Sequence, residues 1–217
     1  MNFLQSSVGR KVLMAITGQL MVLFVVVHLL GNSTIFIGLI NSYAEHLHSL
    51  GPFVWLFRLA MLALVLIHAF FGIQVTLENR AATPSKYAVN KTLKVTLASS
   101  SMIWTGLILA GFIVYHLCHF TARLTPDVAK YANDVPGNVY GMVVGSFSHG
   151  FIAFIYVAAM VALCLHLFHG IQSFFQTMGW NNDKSLPLIS TIGRALAVIF
   201  LLGYSSIPLF ILAGILS

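Results

Sequence analysis

Four histidines, His28, His68, His116 and His166, each sit inside a different and otherwise apolar stretch of the chain. An ionisable ring at membrane depth is costly without a partner, and a bound metal or haem supplies one. Four stretches, each with a histidine at matched depth, make the count for two haems with imidazole on both axial faces. Iron held that way is six-coordinate, which suits electron transfer rather than oxygen binding. His119 and His169 follow His116 and His166 at three-residue spacing, so each shares a helix face with its neighbour. They lie closer to the membrane surface and are candidates to bind a haem propionate, a quinone or water. Glu45, His46 and His48 fall together in a polar connection. They are either interfacial polar residues or groups that pass protons to and from water beside a quinone.

The elements that must position these residues are helices. The chain has 217 residues, 59% hydrophobic and 7% charged, with a mean hydropathy of +0.92, a composition of polytopic membrane proteins. A helix needs about 20 apolar residues to cross the hydrocarbon. Five stretches meet that length: 12–36, 53–77, 95–120, 140–175 and 188–216. The fourth exceeds a single crossing and is expected to tilt or protrude. The expected fold is an all-α membrane protein, a haem-binding four-helix bundle of spans I–IV plus a fifth helix, in one domain over 1–217.

Basic residues set the expected orientation. Arg10 and Lys11 precede span I; Arg80, Lys86, Lys91 and Lys94 lie between II and III; Lys184 and Arg194 lie between IV and V. Only Arg58, Arg123 and Lys130 mark the opposite side. The richer side faces the cytoplasm, placing the N-terminus inside and, after five spans, the C-terminus outside. The net charge of +6 is therefore explained by lipid head groups and topology, not nucleic acid. The start, through Val12, lacks the small-residue pattern of a cleaved leader, and the apolar run after it reads as a retained first span. Cys118 and Cys164 fall inside spans as small apolar residues and imply no disulfide. The outer connections are 41–52 and 121–139, and the inner loop 79–94 is a polar, basic docking surface.

Direction of travel pairs the histidines. Spans I and III run outward and carry His28 and His116 late; spans II and IV run inward and carry His68 and His166 late. Sequential helices pack as antiparallel neighbours, so I lies diagonal to III and II to IV. His28 with His116 then holds an outer haem, and His68 with His166 an inner one. Gly18 and Gly106 each precede a histidine by ten residues, and Gly72 and Gly170 each follow one by four. Glycine there either admits a flat porphyrin or serves close helix packing. Arg58 either neutralises a propionate of the outer haem or snorkels to the interface. Tyr115 and Trp104 either line a pocket or anchor in lipid.

At TGQLMVLFVVVHLLGN around His28, RLAMLALVLIHAFFG around His68, TGLILAGFIVYH ending at His116 and HLFHGIQSFFQTMGW starting at His166, the chain resembles a known family. It is similar to the dihaem cytochrome b membrane anchors of succinate:quinone and quinol:fumarate oxidoreductases, five-helix single-chain type. The resemblance implies two haems b and a quinone, usually menaquinone. It implies a flavoprotein subunit with FAD and an iron–sulfur subunit on the cytoplasmic side, and admits a dimer of such heterotrimers. It implies the same histidine pairing and selects His116 over His119 and His166 over His169. The chain departs from some members that carry a glutamate two residues before the fourth ligand; here that position is Cys164, which cannot relay protons as a carboxylate.

The leading expectation is thus an integral cell-membrane subunit that passes electrons between quinone and a soluble dehydrogenase or reductase. Glu45, His46 and His48 are its expected outer quinone residues, with an inner site near His169 and Gln172 as the alternative. A cytochrome b serving a hydrogenase, nitrate reductase or formate dehydrogenase keeps the haems and changes the partners. A proton or metal transporter predicts acidic residues at mid-depth, and the spans hold none: Glu78 is at an end.

Overall fold

The computed structural model describes residues 6–82, 97–131 and 137–217. Lys86, Lys91, Lys94 and Pro136 lie outside the described residues, as do most of the inner loop and the start of the expected third span. Helix α1 covers Ser7–Ser33 and opens where the Ser6 side chain accepts from Gly9 N at 2.9 Å, meeting one of the amide groups that a helix start leaves unbonded. A 3-10 turn, Thr34–Ile37, carries it to α2, Ile40–Ser49. Helix α3 spans Pro52–Ala81 with proline in its first turn, where a missing amide hydrogen loses nothing. Short α4, Leu97–Ser100, leads into α5, Met102–His116, which ends in a π turn over Leu117–Thr121. Then come α6, Pro126–Ala129, α7, Val139–Phe147, α8, Gly150–Thr177, and α9, Leu186–Leu212.

Five of these stretches are long and apolar enough to cross a membrane: Ser7–Ile37, Pro52–Ala81, Met102–Ala129, Gly150–Thr177 and Leu186–Leu212. Among the described residues there is no strand. The protein is an all-helical, multi-pass membrane protein.

One expected span and one connection differ from the sequence expectation. The stretch 140–175 is two helices, α7 and α8, broken at Ser148 and His149. At 1.5 Å per residue it would be about 54 Å long as one helix, far beyond the hydrocarbon. The break falls where Ser146, Ser148, His149 and Gly150 cluster; Ser148 Oγ donates back to Val144 O at 2.8 Å, a bond that competes with helix continuation. The connection 41–52 contains α2, which buries Ile40 and Ala44 and leaves its other face exposed.

The crossing helices form a ring. α1 packs on α3 and α8, α8 packs on α5, and α3 meets α5 more lightly. This order leaves α1 across from α5 and α3 across from α8. α9 lies outside the ring, with its largest contact on α8 and a smaller one on α1. Small residues set that closeness: a Cβ on Gly203 would stand 2.9 Å from Leu29 Cδ2, and Ala153, Ala159 and Ala162 are buried on α8. In lipid no hydrophobic effect drives helices together, so such close backbone contact carries the association.

Candidate functional site

The diagonal helices bring their histidines opposite one another in two tiers. The end of the bundle that holds Ser6 is termed near, the other far. In the near tier the His68 and His166 rings lie 6.2 Å apart between centroids, at 67°. In the far tier His28 and His116 lie 6.0 Å apart, at 85°. With metal–nitrogen bonds of about 2 Å on each side, and the half-width of each ring beyond, two axial imidazoles stand roughly 6 Å apart. Both pairs therefore match the span of one iron.

The second nitrogen of each near-tier ring is held by an acceptor. His68 Nδ1 donates to Met14 O at 2.9 Å and lies 3.5 Å from Thr17 Oγ1. A carbonyl can only accept, so the proton sits on Nδ1 and the Nε2 lone pair is left for a metal. His166 Nδ1 lies 3.2 Å from Thr105 Oγ1, whose own hydrogen is directed to Ser101 O at 3.0 Å or Met102 O at 3.1 Å. Thr17 and Thr105 hold matching places in two halves of the bundle, but the acceptors differ: the carbonyl of Met14 is the short partner of His68, and the Thr105 hydroxyl is the partner of His166. The sequence shows the threonine–glycine pairs but not this cross-helix partnership, because 51 and 61 residues separate the partners.

The glycine beside each threonine serves the same tier. A Cβ on Gly18 would stand 2.9 Å from His68 Cε1, and one on Gly106 would stand 3.4 Å from His166 Cε1. From the sequence both glycines were placed only by their spacing, ten residues before the far histidine of their own helix. Ten residues along a helix is about 15 Å, so they sit one tier away. The far tier has different partners. His28 stacks on Phe24 at 5.1 Å, and the Tyr204 ring from α9 lies 6.1 Å away. His116 stacks on Phe112 at 5.9 Å, and its Nδ1 lies 3.2 Å from Tyr156 Oη.

This donor set fits haem. Each tier offers two imidazole nitrogens and no third ligand: among the described residues no three His, Cys, Asp or Glu side chains converge. A metal there needs its remaining ligands from a macrocycle, and glycine lines the approach. The succinate dehydrogenase/fumarate reductase transmembrane subunit family model matches residues 76–203, which carry Thr105, Gly106, His116 and His166. The chain belongs to this family. No curated protein and no solved structure matches the chain.

The remaining candidates in this transmembrane subunit are placed as follows. His119 is fully buried, with Nδ1 2.8 Å from Tyr156 Oη and Nε2 2.7 Å from Asp127 Oδ2. Both ring nitrogens are committed to protein partners, so the expected propionate, quinone or water has no atom of His119 to bind. His169 lies half-buried on α8. Gly72 would bring a Cβ within 3.7 Å of Met14 Sδ, an ordinary contact, and at Gly170 nothing lies within 4 Å. Arg58 stacks over Trp55 at 5.0 Å, and Trp55 is exposed; this pair has the character of an interfacial anchor rather than a propionate clamp. Glu45, His46 and His48 are exposed on α2 at the far end, and His48 Nδ1 bonds Ala44 O at 2.7 Å. An apolar groove of about 340 Å³ lies on the α5–α8 face, lined by Ile108, Gly111, Phe112, Tyr115, Phe154 and Ala158 among others.

Tyr156, Asp127 and Ser146 were not singled out from the sequence. Ser146 Oγ donates to Asp127 Oδ2 at 2.7 Å and is fully buried. The one available signal was Asp127 as an acid next to a membrane span, eight residues from His119.

Proposed function

We propose that the chain is a dihaem cytochrome b that anchors a succinate dehydrogenase/fumarate reductase complex and carries electrons between a quinone pool, menaquinone in the first place, and an iron–sulfur subunit. The observation that carries this reading is the pair of facing imidazole couples, each one iron apart. Haem b, when bound, supplies a one-electron centre in each tier. His68 and His166 hold one, and His28 and His116 the other. Met14 O and Thr105 Oγ1 fix the tautomers that leave Nε2 as ligand, which is the usual way an outer partner orients a metal-bound histidine. FAD and iron–sulfur clusters reside in partner subunits, which dock at the near end, where Arg10, Lys11, Arg80, Lys184 and Arg194 lie. That end faces the cytoplasm, with the N-terminus inside and the C-terminus outside.

Quinone chemistry moves protons with electrons, so it needs a titratable group beside an apolar slot. Glu45, His46 and His48 supply such groups at the far end. A second place is favoured by the groove beside Phe112, whose ring stacks on His116; there Tyr115 supplies the polar group.

The test uses the purified complex. A pyridine haemochrome assay is expected to return two haems b per chain. His68→Ala and His166→Ala are each expected to lose one haem, His28→Ala and His116→Ala the other. Colourless protein, or both pigments retained after any of these changes, defeats the reading. In the same preparation Glu45→Gln is expected to slow quinol turnover with both haem spectra intact; unchanged turnover moves the quinone to the groove, where Tyr115→Phe becomes the variant to measure.

A further inference from the structure

Behind His116 the protein builds a chain of hydrogen bonds that, among the described residues, none of His28, His68 and His166 has. His116 Nδ1 lies 3.2 Å from Tyr156 Oη, Tyr156 Oη lies 2.8 Å from His119 Nδ1, and His119 Nε2 lies 2.7 Å from Asp127 Oδ2. Ser146 Oγ, in the last turn of α7, donates to the same carboxylate oxygen at 2.7 Å. One assignment of protons uses every contact. His116 Nδ1–H donates to the tyrosine oxygen, the tyrosine O–H donates to His119 Nδ1, and His119 Nε2–H donates to the carboxylate. Three separate elements are shaped to make it. The π turn at Leu117–Thr121 places His119 edge-on to the Tyr156 ring, 5.7 Å between centroids. Such turns are rare and recur at functional positions. Pro126 opens α6 so that Asp127 falls in its first turn. Tyr156 comes from the buried face of α8.

The near tier offers a control. His68 gives its Nδ1 proton to a backbone carbonyl and His166 faces a threonine hydroxyl. Those acceptors are neutral. Among the described residues, the chain behind His116 alone ends on a carboxylate. A stronger acceptor makes a metal-bound imidazole more basic, which favours the oxidised metal. Hydrogen bonds in series polarise one another in a low-dielectric interior, so the carboxylate acts through the two intervening groups.

We propose that Tyr156 is a positioning residue, backed by His119 and Asp127, that lowers the reduction potential of the haem held by His28 and His116. This rests on the reading that this pair holds haem. The alternative role for such a network is to fasten α5, α6 and α8 together, which would leave potentials alone.

The test is an optical redox titration of the intact complex, with the two haems assigned from the single-histidine variants above. Tyr156→Phe removes the oxygen and keeps the ring; Asp127→Asn removes the charge. In Tyr156→Phe the His28/His116 haem is expected to favour its reduced form by about tenfold, a rise of 59 mV for one electron. Asp127→Asn is expected to move the same haem in the same direction by about threefold. The His68/His166 haem should hold its potential in both. Unchanged potentials with two haems per chain overturn the inference, and so does an equal shift of both haems, which reports a general loosening. Where Tyr156→Phe loses pigment, Asp127→Asn decides: a selective rise supports the inference, and none overturns it. Parent complex without haem removes the proposed function itself, and the inference with it.

Discussion

At Gly18 an added methyl carbon would meet His68 Cε1 at 2.9 Å, closer than side-chain carbons approach one another, while at Gly106 the matching distance to His166 is 3.4 Å. The ring of His68 cannot swing clear without giving up its bond to Met14 O. Gly18→Ala is therefore expected to act as overpacking, with a cost of about 1–3 kcal/mol. It should deplete the His68/His166 haem while sparing the other; Gly106→Ala should do the same more weakly. Reduced-minus-oxidised spectra of the two variants check this, and equal loss of both haems would defeat it. At this scale the four ligand candidates were legible because a histidine stands out in an apolar helix. Their partners were not. Threonine, tyrosine and serine are common in membrane helices, and nothing local marks Thr17 as the neighbour of His68, or Tyr156 as the neighbour of His116.

The π turn after His116 shows how one element changes what a spacing means. In a regular helix, residues three apart share a face, and His119 reads from that rule as a second group beside the cofactor. The added residue of the π turn re-aims it toward Asp127 and Tyr156. Deleting Cys118, inside the turn, restores α-helical winding and rotates His119 by about 100°. That deletion is expected to keep two haems per chain and to raise the potential of the His28/His116 haem, as Tyr156→Phe does; an unchanged redox titration would rule this out. The α7–α8 break is of the same kind. Apolar composition across 140–175 reads as one long span. The polar cluster that ends α7 bonds back to the helix through Ser148 and reaches the Asp127 carboxylate on α6 through Ser146. By contrast, the crossing helices themselves were evident, since about 20 apolar residues in a row admit few alternatives to a membrane helix.

For the whole molecule, charge asymmetry predicts sidedness, and labelling tests it. A thiol introduced as His46→Cys, on the exposed face of α2, should react with a membrane-impermeant maleimide in intact cells. One introduced as Lys184→Cys should react only after permeabilisation. The reverse pattern would invert the orientation. The arrangement of the bundle around the sites divides between what the chain's composition compels and what contact decides. Residue order alone determined an all-helical membrane protein with one deep histidine in each of four spans, because bilayer thickness and the cost of burying an ionisable ring act on each segment by itself. It also pointed to the pairing by depth, because sequential helices pack as antiparallel neighbours. Tertiary structure alone decided which atoms stand behind those rings: a carbonyl and a threonine in one tier, a tyrosine, a histidine and a carboxylate in the other. Hydrogen bonds depend on ångström distances between helices far apart in the chain, and no local pattern encodes those distances.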